Sequence, residues 1–244
     1  MDVRRFRADL YELAAKACAN DPPEVSSKVI GIADILVKLY RKNMVKINHS
    51  ALELVCARSL VKQGYEVKVE QRLDRSLVCD VMGNRGDGPL IVEIETGFIP
   101  PEEALDPSAY ARSRIASKIA RYSHFAGKFA LGTTPTYLLD LPVFFVKPPR
   151  ARTLPEAQEI KALTDIKYNR PPISIEELMQ ARVHMIFLID VDRATTKEVD
   201  PETYVSTAST LLNLNPDGRE RSFMSPAESG PPSSRSPRSS SALP

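Results

Sequence analysis

Leu77-Val78-Cys79-Asp80-Val81-Met82-Gly83 and, after a turn over residues 84–89, Leu90-Ile91-Val92-Glu93-Ile94-Glu95-Thr96-Gly97 decide how this chain folds. Both runs are apolar and rich in β-branched residues, and a Gly-containing, Pro-flanked turn joins them, so they form two neighbouring antiparallel strands. Asp80, Glu93 and Glu95 are the only charged residues in the two runs. Successive strand residues alternate between faces, so Glu93 and Glu95 share a side, and Asp80 on the next strand lies beside them. Three carboxylates in one place repel each other unless a cation neutralises them, and an oxygen-rich cluster of this kind suits Mg²⁺ or Mn²⁺.

Outward from this hairpin, residues 65–71 form a third strand on its N-terminal side. Before it, residues 50–63 have the apolar spacing of a helix, with Leu52, Val55, Cys56 and Leu60 inward and Gly64 as the stop. After the hairpin, residues 107–125 read as a helix through Ile115, Ile119 and Tyr122, and residues 128–131 as a strand. Strands are also expected at 143–146 and 185–191, and helices at 154–168, 175–182 and from Pro201, capped by Asp200, to about 212. At the start, Val3, Phe6, Leu10, Leu13 and Ala17, then Val25, Val29, Ile32, Leu36 and Leu39, make a helical hairpin broken by Pro22 and Pro23. The fold class is α/β, a mixed central sheet flanked by helices. The expected units are an N-terminal hairpin over residues 1–43, an α/β domain over 44–213, and a Ser/Pro-rich tail over 214–244 whose composition predicts disorder.

The chain has 244 residues and 43% hydrophobic content, enough for a full core, which excludes a disordered or fibrous protein. Its formal charge of +2 hides a segregation. Residues 86–111 hold six acids (Asp87, Glu93, Glu95, Glu102, Glu103 and Asp106) and no Lys or Arg, whereas residues 112–152 hold eight bases and one acid, Asp140. An acidic pocket beside a basic tract suits an enzyme that holds a divalent metal next to a polyanion. Cys18, Cys56 and Cys79 are isolated in apolar patterns and read as core residues of a reduced protein. His49, His124 and His184 show no paired-ligand spacing, so the expected metal ligands are oxygens rather than a zinc or iron–sulfur set. No stretch is apolar enough to span a bilayer and no signal-like segment opens the chain, which points to a cytoplasmic protein without a membrane partner.

The acid at Glu53 on a helix, Asp80 on a strand, the string Glu93-Ile94-Glu95-Thr96-Gly97 and a following basic helix resemble the PD-(D/E)XK nuclease superfamily. The likeness to its RecB-like and restriction-endonuclease-like members extends to Lys118-Ile119-Ala120-Arg121-Tyr122, which stands where the RecB-like members carry a Gln-x-x-x-Tyr motif. It covers roughly residues 50–131 and implies an αβββαβ core and Mg²⁺- or Mn²⁺-dependent hydrolysis of a nucleic acid, DNA being the expected one. The resemblance implies metal binding by Asp80, Glu93 and Glu53, proton transfer by Glu95, and charge neutralisation by Lys118. Glu95 departs from the family's pattern, which usually has Lys there; Lys118 is expected to supply the missing positive charge. Arg114, Lys118, Arg121 and Tyr122 form the expected nucleic-acid-binding stripe of the helix.

Each residue also has a structural explanation. Ser50-Ala51-Leu52-Glu53 fits a capping box, in which Glu53 merely satisfies a backbone donor and makes no metal contact; this is the favoured reading of Glu53. Glu93 and Glu95 fit the solvent face of an alternating strand, and Lys118 and Arg121 the wet side of an amphipathic helix. Asp80, set among apolar neighbours, needs a partner or a metal. Two other readings of the chain follow: a nucleic-acid-binding or assembly module that keeps the fold without cleavage, and an interaction protein that forms a homodimer through its N-terminal helices.

Overall fold

A computed structural model describes residues 2–86, 88–166 and 171–211; the expected tail over 214–244 lies outside the described residues, as does Asp87. In chain order the elements are α1 (Val3–Ala17), α2 (Pro23–Arg41), α3 (Ile47–Lys62), β1 (Glu66–Arg72), β2 (Val78–Asn84), β3 (Pro89–Glu95), α4 (Pro107–Tyr122), β4 (Lys128–Thr133), α5 (Val143–Val146), α6 (Leu154–Asp165), α7 (Ile175–Gln180), β5 (Met185–Asp190), β6 (Thr195–Val199) and α8 (Pro201–Leu211). Among the described residues these are eight α-helices around one six-stranded mixed sheet, an α/β fold. The strands lie side by side in chain order. β1, β2 and β3 form an antiparallel meander, β3, β4 and β5 run parallel, and β6 closes the sheet antiparallel to β5. The parallel pairs need crossovers, which α4 and then α5 to α7 provide.

Two apolar layers cover the sheet. On one side Phe6 and Leu10 of α1, Val29 and Leu36 of α2, and Leu54, Val55 and Leu60 of α3 pack with Val81, Leu90, Val92 and Ile94. α3 is buried around most of its circumference because it lies between the N-terminal hairpin and the sheet. Asp21, in the α1–α2 turn, locks the hairpin to α3 through a forked pair with Arg58, at 2.7 and 2.9 Å, and through Lys62 at 2.9 Å. On the other side Ile115 and Ile119 of α4 pack with Ile91, Phe129, Leu131 and Ile186. Along β3, Leu90, Val92 and Ile94 face the first layer and Ile91 the second, so Glu93 and Glu95 continue the side that faces α4.

Two sequence expectations are corrected, and one strand was missed. α3 begins at Ile47 with Lys46 at its N-cap, and the Ser50 N–H already donates to the Lys46 carbonyl at 2.9 Å. Ser50 therefore lies inside the helix, and the capping box that explained Glu53 does not exist. Residues 143–146 form a helical turn, not a strand, because the consecutive Phe144 and Phe145 are both buried on one side, which a strand's alternation forbids. Buried Arg152 donates to the Phe145 and Lys147 carbonyls at 3.2 and 3.1 Å and fixes that turn. β6, which follows β5 through a turn with Ala194 at φ +50°, escapes the sequence pattern because it is a polar edge strand. All three cysteines are buried and free, and no helix among the described residues is long and apolar enough to cross a membrane.

Candidate active site

The site forms where the β2 strand loses its neighbours. The β2–β3 ladder ends at Val81 opposite Val92, and the β1–β2 register passes from Val69–Val81 to Gln71–Cys79, stepping over Asp80 and Glu70. Side chains take the place of the missing ladder bonds. The Asp80 N–H donates to Glu93 Oε1 at 3.1 Å, and the Ile94 N–H donates to Asp80 Oδ2 at 2.5 Å. Each carboxylate thus satisfies a backbone donor that strand pairing would otherwise occupy, which holds the strands apart at this point.

Lys118 of α4 reaches into the fork from one side. Its Nζ donates to the Ile94 carbonyl at 2.9 Å and lies 2.9 Å from Glu95 Oε1, 3.2 Å from Glu93 Oε2 and 3.6 Å from Asp80 Oδ2. Three of the expected site acids therefore converge on one ammonium. Arg114, one turn earlier on α4, donates to Glu95 at 3.2 Å. Glu93 and Glu95 are buried, not solvated as a strand's outer face would be.

α3 closes the fork from the other side. His49 Nε2 lies 3.1 Å from Asp80 Oδ1 and 3.4 Å from Glu53 Oε1, and one ligand atom from each of the three residues falls within 4.8 Å of the others. This group can hold a metal ion. Glu53 is 0% exposed and neither of its oxygens has a hydrogen-bond partner. Facing the His49 ring at 3.4 Å and the carboxyls of Glu70 and Asp80, this buried group has lost most of its hydration, and a cation would replace it. Glu70, on β1, adds a further carboxyl from a left-handed backbone at φ +50°, a conformation that costs a non-glycine residue about 1–3 kcal/mol and concentrates at functional sites.

The electrostatics follow from this crowding. Burial, then the charges of Asp80 and Glu70, hold Glu53 well above the ordinary carboxyl value. Burial and the Asp80 charge likewise raise Glu70. Burial and Asp80 push Glu93 up to about 8 against the pull of Lys118. Asp80 is opposed by burial, yet Lys118, His49 and the Ile94 N–H bring it down to about 2. Lys118 is disfavoured by burial and still held far above its usual value by Asp80, Glu93 and Glu95. Acids of opposite tendency side by side make the fork a candidate site.

The remaining predicted residues line a small cavity beside Lys118. A cavity of about 130 Å³ between Leu77 and α4 is bounded by Arg114, Ser117, Lys118, Arg121 and Tyr122. Arg121 is tied to the Pro171 carbonyl at 2.9 Å, and the Tyr122 hydroxyl donates to the Val78 carbonyl at 3.2 Å. His49 and Glu70 were not among the sequence candidates. His49 had a signal, the His49-x-x-x-Glu53 spacing that places both on one face of a helix, whereas Glu70 depends on a left-handed backbone within β1 that the sequence does not announce. No family model, curated protein or solved structure matches this chain.

Proposed function

We propose that the fork between β2 and β3 is the centre of a divalent-metal-dependent nuclease that hydrolyses DNA phosphodiester bonds. The observation that carries this is the fully buried Glu53 grouped with His49 and Asp80, with Lys118 on the opposite side of the same aspartate. The order α3, β1, β2, β3, α4, β4 supports the restriction-endonuclease-like αβββαβ arrangement and the resemblance to PD-(D/E)XK nucleases. His49, Glu53 and Asp80 would hold Mg²⁺ or Mn²⁺, with Glu93 bonded to the Asp80 backbone. The chemistry a divalent cation supplies at such a site is polarisation of a phosphate oxygen and acidification of a water.

The chain's own groups do the rest. Lys118 neutralises charge that builds on the phosphate, and Glu95, positioned by Lys118 and Arg114, accepts the proton of the attacking water. Arg114, Lys118 and Arg121 border the cavity through which a phosphate reaches the fork, with Tyr122 as its apolar wall. One observation favours a second reading, a nucleic-acid-binding or assembly module without cleavage: Lys118 by itself already neutralises part of the acid cluster.

Incubation of the protein with labelled single-stranded, double-stranded and branched DNA in Mg²⁺ or Mn²⁺ separates the two. Cleavage by the wild type that disappears in Asp80→Ala and in Glu93→Ala is expected. Binding without cleavage in all three proteins contradicts the hydrolase and leaves the module.

A further inference from the structure

Two residues past Glu95 the chain turns at Gly97, and a second, larger cavity opens on the far side of that turn. It measures about 400 Å³, within the range of small-molecule pockets, and its walls include Ile99, Tyr137, Leu139, Leu141, Val205 and Ala208. Its two charged lining residues, Arg112 and Asp140, lie 4.0 Å apart and offset each other. Gly97 has φ +74°, and a Cβ there would stand 2.5 Å from Tyr137 Cδ2, so both the backbone and the space require glycine. That bare backbone lets the Tyr137 ring lie directly against the turn leaving the reactive strand. Burial, then the charge of Glu95, raise the Tyr137 phenol, consistent with its place between the fork and the cavity.

The surface around the cavity is apolar and faces water. Phe98, between the lining residues Gly97 and Ile99, is 62% exposed, and Leu105 is fully exposed two residues before the lining residue Pro107. The same loop carries Glu102, Glu103 and Asp106 and no base, so it repels phosphates, whereas the α4 stripe attracts them. With Glu95 in the fork and Gly97 in the cavity wall two residues on, a ligand that sends phosphate to the first place and a neutral, flat, apolar group to the second is a nucleotide with its base splayed out.

We propose that this cavity receives an unpaired nucleobase next to the phosphate at the fork, against the Tyr137 ring and with the exposed Phe98 at its rim, so that the substrate is single-stranded or frayed DNA. The proposal deepens the nuclease reading and rests on it for the placement of the phosphate. Fully paired DNA keeps its bases inside the duplex and leaves the cavity empty.

The test is a fluorescence titration of the full-length protein with oligonucleotides carrying 2-aminopurine at successive positions, single-stranded or annealed, with Ca²⁺ replacing Mg²⁺. Quenching at one position of the single strand is expected, with binding at least about tenfold tighter than for the duplex. Phe98→Ala is expected to weaken single-strand binding about fivefold to a hundredfold, the range for loss of one stacked base. Ser209→Trp, which fills the mouth of the cavity from α8, is expected to abolish the positional quenching, with thermal melting of each variant confirming the fold.

Equal affinity for both strand forms without positional quenching overturns the proposal, as does unchanged binding in both variants. Self-association of the wild type that Phe98→Ala removes overturns it too, and assigns the surface to a second copy of the chain. Positional quenching without any Mg²⁺- or Mn²⁺-dependent cleavage upholds the base site while the hydrolase fails; cleavage of duplex and single strand alike, without quenching, does the reverse.

Discussion

Lys118 and Asp80 lie 3.6 Å apart, one on a helix and one in a strand fork, and each opposes the other's burial cost. Asp80 also touches His49 at 3.1 Å, so one carboxylate joins a built-in cation to a place fit for an added one. The two sides of the fork therefore answer differently to substitution.

Lys118→Met leaves Asp80, Glu93 and Glu95 without their shared ammonium. Breaking a buried ion pair from one side costs about 3–5 kcal/mol, and partial access of the fork to water places this variant at the lower end. Thermal melting should fall by about 2–4 °C per kcal/mol. Lys118→Arg should not restore activity, because a planar fork cannot replace a point charge 2.9 Å from both Glu95 and the Ile94 carbonyl.

Glu53→Leu should stabilise the metal-free protein, since it replaces with hydrocarbon a buried carboxyl that Asp80 and Glu70 crowd and whose nearest base, His49, is 3.4 Å away. The expected gain is about 1–3 kcal/mol, with cleavage lost. Denaturant melts in chelator, alongside the cleavage assay, check both halves. A loss of stability would mean that Glu53 has a structural partner.

His49→Ala should weaken cation binding by at least about tenfold, since loss even of a group that only orients a ligand costs about 10–100-fold. Calorimetric titration with Mn²⁺ measures this. His124→Ala, whose ring packs on Phe125 and is not part of the His49, Glu53 and Asp80 group, should leave the titration unchanged.

The pH dependence has two limbs. Glu93 rises from an ordinary value of 4.5 to about 8, so between these values the folded chain holds more protons than the unfolded one, and stability falls as pH rises. In chelator the melting temperature should drop from pH 5 to pH 8, and Glu93→Gln should flatten that drop. Asp80, lowered from 3.8 to about 2, acts in the opposite sense: its contribution is complete above pH 4 and disappears as pH falls through 2.

How much of this could be read beforehand depended on whether local pattern and tertiary context agreed. The β2 and β3 strands and their acids were legible because the apolar runs are long and Asp80, Glu93 and Glu95 are their only charges. The capping-box reading of Glu53 fails because Ser50-x-x-Glu53 has the same spelling at a helix start and one turn inside it, and α3 begins at Ile47. Residues 143–146 have a strand's β-branched composition, yet burial of both Phe144 and Phe145 selects a helical turn. Of Asp80's partners on α3, Glu53 was among the sequence candidates, whereas His49 was identified only when the fold brought it to the fork.

The central claim is that the Asp80 fork holds a divalent cation. Anomalous scattering from crystals grown with Mn²⁺ tests it most directly. A manganese peak in contact with His49, Glu53 and Asp80, absent from Glu53→Leu crystals, is the predicted result; a fork with no peak at saturating Mn²⁺, or peaks confined to exposed acids elsewhere, would contradict it.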